Sequence, residues 1–137
     1  MNILKLKRII HGVLSLHPEI LFGYLHGSVY SSLDPNHIDI AVFLDQGSFK
    51  RLRADGDSSL GFAIPLEMEL EKKIAMPIDL QILNDAPLRF KYRAISKGEV
   101  IIDYDTITRT DFECLTRVEY FDFRPKREAY LKEAFSS

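Results

Sequence analysis

The sequence has one cysteine, no large excess of either charge sign and no long hydrophobic run, and each shortage excludes something. Cys114 alone forms no internal disulfide, and with no Cys or His cluster around it, it reads as a core residue rather than a nucleophile. Lys and Arg number 18 against 20 Asp and Glu, so no overall basic field argues for long nucleic acid, and a charged partner needs a local patch. No apolar run approaches the roughly 20 residues of a membrane span. Residues 1–20 intermix basic and apolar positions instead of placing a charged region before an apolar block, which argues against a signal peptide. A cytoplasmic protein is expected. No Walker motif, Rossmann glycine set, CxxC pair or His-Glu-x-x-His helix is present, and there are no internal repeats or low-complexity segments. At 137 residues, 46% hydrophobic and 28% charged, the chain is expected to be one globular domain with a real core.

The apolar positions Ile3, Leu4, Leu6, Ile9, Ile10, Val13 and Leu14 recur at helical spacing and predict an amphipathic helix from Ile3 to Leu16, ended by His17-Pro18. Two apolar runs, Leu21 to Leu25 and Ile38 to Leu44, predict strands joined through Gly27-Ser28, a short helix and a turn containing Asp34, Pro35 and Asn36. Gln46 to Ser59 is polar and reads as a loop with at most a helical turn near Phe49 to Leu52. A helix is expected from about Ile64 to Ile74 with Pro65 in its first turn, then a strand from Ile78 to Leu83. Further helices are expected over Ala86 to Ser96, stopped by Gly98, and over Thr106 to Phe121, with a strand at Val100 to Asp103 between them. Pro125 then separates a last helix, Lys126 to Phe135, within a helical tail that begins at about 105. This pattern predicts an α/β or α+β fold, a small mixed sheet with helices packed on one face.

The chemistry concentrates where acids interrupt apolar strands. Asp39 sits between Ile38 and Ile40, and Asp79 between Ile78 and Leu80, so each carboxylate points to the face opposite its apolar neighbours. Carboxylates on adjacent strands bring hard oxygen ligands to Mg²⁺, which is usually held jointly with nucleotide phosphates. Gly27 allows a backbone to approach a phosphate, and Ser28 can cap a helix and bond a phosphate oxygen. The competing reading makes Asp39 a solvated residue on an exposed sheet face. His26 either bonds neighbouring backbone or contacts a nucleotide, and Arg51 and Arg53 either hold a triphosphate or are solvated. Tyr24, Tyr30, Tyr120, Phe121 and Phe123 read as packing or interface residues before a base-stacking platform.

Gly27-Ser28, Ile38-Asp39-Ile40-Ala41-Val42, Ile78-Asp79-Leu80 and Leu83-Asn84-Asp85-Ala86-Pro87 with Gly98 resemble the minimal nucleotidyltransferases of the DNA polymerase beta-like superfamily, over about Leu21 to Asp103. The resemblance implies Asp39 and Asp79 as catalytic and metal-binding residues, Gly27 and Ser28 at the nucleotide, Mg²⁺ or Mn²⁺ as cofactor and ATP as substrate. It further implies an antitoxin-like role beside a HEPN-domain ribonuclease toxin, with AMP transferred to a tyrosine. That family carries Asp-x-Asp after a spacer of roughly ten residues. This chain has His37 at the first acid position, and only eight residues lie between Ser28 and His37. His37 replaces a carboxylate with one nitrogen and no negative charge, which suits Zn²⁺ better than Mg²⁺ and makes His37 a doubtful metal ligand. Weakened chemistry is therefore expected, with Asp34 as either a substitute acid or a plain turn residue. The alternative is a non-catalytic module that neutralises its partner by occlusion, using aromatic residues of the C-terminal helix with Arg124, Lys126, Arg127 and Lys132. Self-association is left open.

Overall fold

The computed structural model describes residues 2–30, 35–54 and 60–135. Helix α1, Ile3–Leu14, starts at Asn2, whose Oδ1 accepts from the Lys5 amide at 2.8 Å, and buries Leu6, Ile10, Val13 and Leu14. Strand β1, Ile20–His26, follows the turn at Pro18 and leads into a single 3₁₀ turn, Gly27–Tyr30. Strand β2 is Ile38–Leu44, β3 is Ile78–Ile82 and β4 is Glu99–Asp103. The sheet order is β3-β2-β1-β4, with β2 and β3 parallel and the other pairs antiparallel. The sheet is therefore mixed, as expected.

The two central strands are buried on both faces, which is why β1 and β2 read as nearly unbroken apolar runs. One face, with Ile20, Leu25, Ile38, Ile40, Val42 and Leu80, packs against α1 and two further helices, α2, Gln46–Ala54, and α3, Leu60–Ile74. Helices were expected on one face, and the second face is covered too. There Phe22, Tyr24, Ala41 and Phe43 meet α4, Leu88–Lys97, and the start of α5, Thr106–Phe135. Phe22 and Phe43 stack at 4.9 Å, and Phe112 of α5 closes on both rings. Below that packing, the Tyr24 hydroxyl donates to Glu113 at 2.7 Å, and Arg109 bonds both Asp103 and Glu113. Burial, and then the Glu113 carboxylate, push the Tyr24 hydroxyl well above its ordinary pKa.

Four sequence expectations are corrected. Gln46–Ala54 is a helix, not a loop: Asp45 caps it by accepting from the Ser48 amide at 2.9 Å, and Phe49 is its buried anchor. Residues 55–59, the remainder of the expected loop, lie outside the described residues. Helix α3 begins at Leu60, which places Pro65 inside it instead of in its first turn. The two expected C-terminal helices are one, Thr106–Phe135, which continues through the proline at position 125. Cys114 is exposed, because Phe112 and Thr116 take the inward positions of α5 around it.

Two devices protect the sheet's ends. The outer edge of β3 is met by α3, where the Glu67 carboxylate accepts from the Leu80 amide at 2.8 Å and Glu71 from the Ile78 amide at 3.1 Å. Because Glu67 and Glu71 are four apart, one helix face serves both donors. After β3, the Asn84 side chain pairs with the Leu44 backbone in both directions, accepting at 2.9 Å and donating at 2.8 Å. That pins the Leu83-to-Pro87 segment to the end of β2.

Candidate active site

The parallel pairing sets Ile38 beside Ile78, Asp39 beside Asp79 and Ile40 beside Leu80. Neighbouring strands lie about 4.8 Å apart, so the two carboxylates project side by side from one face. That face is the one carrying Ala41 and Phe43, as alternation along β2 requires. Across the antiparallel pair, His26 sits opposite Asp39. Gly27 follows with φ +87°, and a Cβ there would collide with the Asp39 carboxylate, lying 2.9 Å from its Cγ. The glycine is thus required twice, by the left-handed turn and by the acid packed against it.

His37 lies two residues before Asp39 on the same side, and its Nε2 is 3.2 Å from Asp39 Oδ2, while Nδ1 meets the Asn36 side chain at 2.7 Å. The imidazole is therefore a direct neighbour of the acid. Asp79 accepts from Gln81 Nε2 at 2.9 Å. The side chain of Ser28, and Asp34 altogether, lie outside the described residues. Tyr30 and Lys7 both donate to Glu99, at 2.9 and 2.6 Å, which ties the glycine turn to β4 and α1. Those bonds, that of Lys7 first, hold the Glu99 carboxyl below its usual range.

The sequence allows His26 a structural or a ligand role. It is only 6% exposed, its ring stands edge-on to Phe90 of α4 at 5.5 Å, and its Nε2 has no hydrogen-bond partner among the described residues. Burial lowers its proton affinity; Asp39 and Asp79 oppose that shift and Arg93 adds to it. Arg51 and Arg53 are not brought to the acids. They ride on α2, beyond the far end of β2 and on the opposite face, with Arg51 on Ser48 and Arg53 over the Phe49 ring at 5.7 Å. Tyr120 stacks on Tyr92 of α4 at 3.8 Å with Phe121 edge-on to both, so these rings pack α4 against α5. The side chain of Phe123 lies outside the described residues.

Among the described residues, no three His, Cys, Asp or Glu side chains converge as a metal cage. Two adjacent carboxylates nonetheless fit a hard divalent ion whose remaining positions are filled by water and phosphate.

A four-stranded mixed sheet with a glycine turn closing β1 against paired acids on β2 and β3 has the architecture of a nucleotidyltransferase-fold protein. The profile of the family described as "Polymerase beta, Nucleotidyltransferase" matches residues 8–107, and the chain belongs to that family. Solved structures agree on the fold. A chain of a toxin-antitoxin structure with AMP-PNP is 19% identical with a TM-score of 0.68, covering 93% of this chain and 97% of that one. A chain of the MntA-HepT toxin-antitoxin is 18% identical with a TM-score of 0.65, covering 95% and 97%. A third, from a tri-AMPylated Shewanella oneidensis HEPN toxin in complex with MNT antitoxin, is 17% identical with a TM-score of 0.63, covering 93% and 98%. No curated protein matches the sequence.

Proposed function

We propose that this chain is the antitoxin-like partner of a HEPN-domain protein and that its Asp39–Asp79 face transfers AMP from ATP to a tyrosine of that partner. The observation that carries the reading is the register that sets Asp39 beside Asp79 with the Gly27 turn packed on Asp39. The solved toxin-antitoxin complexes of like fold, one with AMP-PNP and one with a tri-AMPylated HEPN toxin, support it. In the reaction the tyrosine oxygen bonds the α-phosphorus as its hydroxyl proton passes to solvent, the bond from that phosphorus to the bridging oxygen breaks, and pyrophosphate leaves with the electron pair. Asp39 and Asp79 would hold Mg²⁺ or Mn²⁺, which supplies charge neutralisation at the phosphates when bound. Gly27, by lacking a side chain, leaves room for both the acid and a phosphate. His37 lowers turnover by standing on Asp39 where a second acid would serve.

The test is incubation with labelled ATP, Mg²⁺ or Mn²⁺ and the HEPN protein encoded beside this chain, comparing wild type, His37→Asp and Asp39→Ala. His37→Asp should raise labelling of the partner about tenfold or more, the worth of one charge-assisted contact of about 1.5 kcal/mol. No labelling by either form, or labelling that persists in Asp39→Ala, refutes the transfer. The His37–Asp39 contact also favours a second reading, neutralisation by occlusion without chemistry, with exposed Leu115, Val118 and Phe121 of α5 as the contact surface. Neutralisation that survives Asp39→Ala with Asp79→Ala selects this reading, and its loss with binding intact rejects it.

A further inference from the structure

We propose that the flank of α4 bearing Arg89, Arg93 and Lys97 receives the phosphate chain of the nucleotide held at Asp39 and Asp79; this rests on the nucleotidyltransferase reading and names the anion-binding side of that site. The three residues are four apart, so they form one row on the helix. Phe90 and Ala94, next to the row, turn towards the sheet, and Tyr92 lies on the other side of α4 against Tyr120 of α5. The row therefore occupies the flank away from α5.

That flank borders the acids. Phe90 rests on His26, His26 lies opposite Asp39 in the sheet, and Gly98, directly after Lys97, packs so closely that a Cβ there would lie 3.2 Å from the His26 Cβ. The charges of Arg93 on α4 and of Asp39 and Asp79 on the sheet all act on the His26 imidazole. The Nε2 of that imidazole, on a residue only 6% exposed, has no hydrogen-bond partner among the described residues.

Charge accounting points the same way. Helix α4 carries Arg89, Lys91, Arg93 and Lys97 and no acid. All three residues of the row are exposed, and none has an ion-pair partner among the described residues. Of the cations elsewhere, Lys7 is on Glu99, Arg109 on Asp103 and Glu113, Arg51 and Arg53 lie on the opposite face, and Arg117 of α5 acts on Tyr24. A polyphosphate beside two carboxylates needs fixed cations to offset repulsion, and on this face α4 supplies them.

The test is calorimetric binding of inorganic pyrophosphate, ATP and adenosine, each with Mg²⁺, to wild type, Arg93→Gln, Lys97→Gln and the double variant. Thermal melts would confirm equal folding, since both side chains are exposed. Each single change should weaken pyrophosphate and ATP about tenfold, and the pair about a hundredfold, with adenosine affinity unchanged. Raising salt should weaken pyrophosphate binding less in the double variant than in wild type. Wild-type affinity for pyrophosphate and ATP in the double variant, with ATP binding still lost in Asp39→Ala, overturns this inference alone. Absence of any metal-dependent ATP or pyrophosphate binding by wild type overturns it together with the nucleotidyltransferase reading.

Discussion

Gly27→Ala is the perturbation whose outcome the geometry defines most sharply, because two separable costs fall on one methyl group. The residue has φ +87°, and placing an L side chain in that region costs about 1–2 kcal/mol. The added Cβ also runs into the Asp39 carboxylate, with 2.9 Å to Cγ and 3.1 Å to Cβ, so the acid must rotate away from its place beside Asp79. A contact of that kind couples two positions by about 0.5–3 kcal/mol. Together they predict a loss of about 2–4 kcal/mol, or a fall in Tm of roughly 10 °C. Asp39→Ala alone should cost little, since its partner His37 is half-exposed and such pairs contribute about 1 kcal/mol or less. In Gly27→Ala with Asp39→Ala the collision with Oδ2 and Cγ disappears, leaving the backbone cost and the tighter-than-usual 3.1 Å approach to the remaining Cβ. The double variant should therefore be more stable than the sum of the singles requires, by about 1–2 kcal/mol. Urea denaturation of the four proteins measures the cycle. Additivity within about 0.4 kcal/mol would refute the claim that Gly27 is held by Asp39.

Two further outcomes follow from other contacts. Glu67→Ala removes the acceptor of the Leu80 amide at the sheet edge and should cost about 1.5–3 kcal/mol, with Glu67→Gln recovering part of it; hydrogen exchange that stays equally slow at Leu80 in Glu67→Ala would contradict the edge-capping role. Because burial lowers the folded-state pKa of His26 below about 6.5, the unfolded chain binds its proton first as pH falls. Stability should thus decline from pH of about 6.5 down through the lowered value. That part of the slope should vanish in His26→Phe, and identical pH profiles for the two proteins would count against it.

The strands were legible because Asp39 and Asp79 each interrupt an apolar run, and the alternation in Ile78-Asp79-Leu80-Gln81-Ile82 states plainly which residues face out. What brings the acids together was not: parallel register between β2 and β3 is a pairing across some forty residues, set by the packing of α3 and by Asn84 on Leu44, not by local pattern. Helix α2 was hidden by its polarity, since Phe49 is its one buried residue, yet the Asp45-to-Ser48 cap was a readable start signal. At Pro65 the packed face of α3 supports a helix that propensity alone would break, whereas nothing in the described packing explains why α5 continues through position 125. The burial of His26 is not legible locally, whereas the cationic row of α4 is, as three bases spaced by four in a helix free of acids.

Helix α5 has 30 residues and so runs about 45 Å at 1.5 Å per residue. Its near half is seated, with Phe112 in the aromatic stack, Glu113 on Tyr24 and Tyr120 on Tyr92, while the described side chains from Asp122 onward stand in solvent. An unbroken helix makes these two halves a lever. The proline at position 125 leaves one helical hydrogen bond unmade, so the lever bends most easily there; short of such a bend, force applied near Tyr130 is delivered at Tyr120 and Glu113. The latter's partner, Tyr24, stands two residues from His26 on the strand that carries the glycine turn.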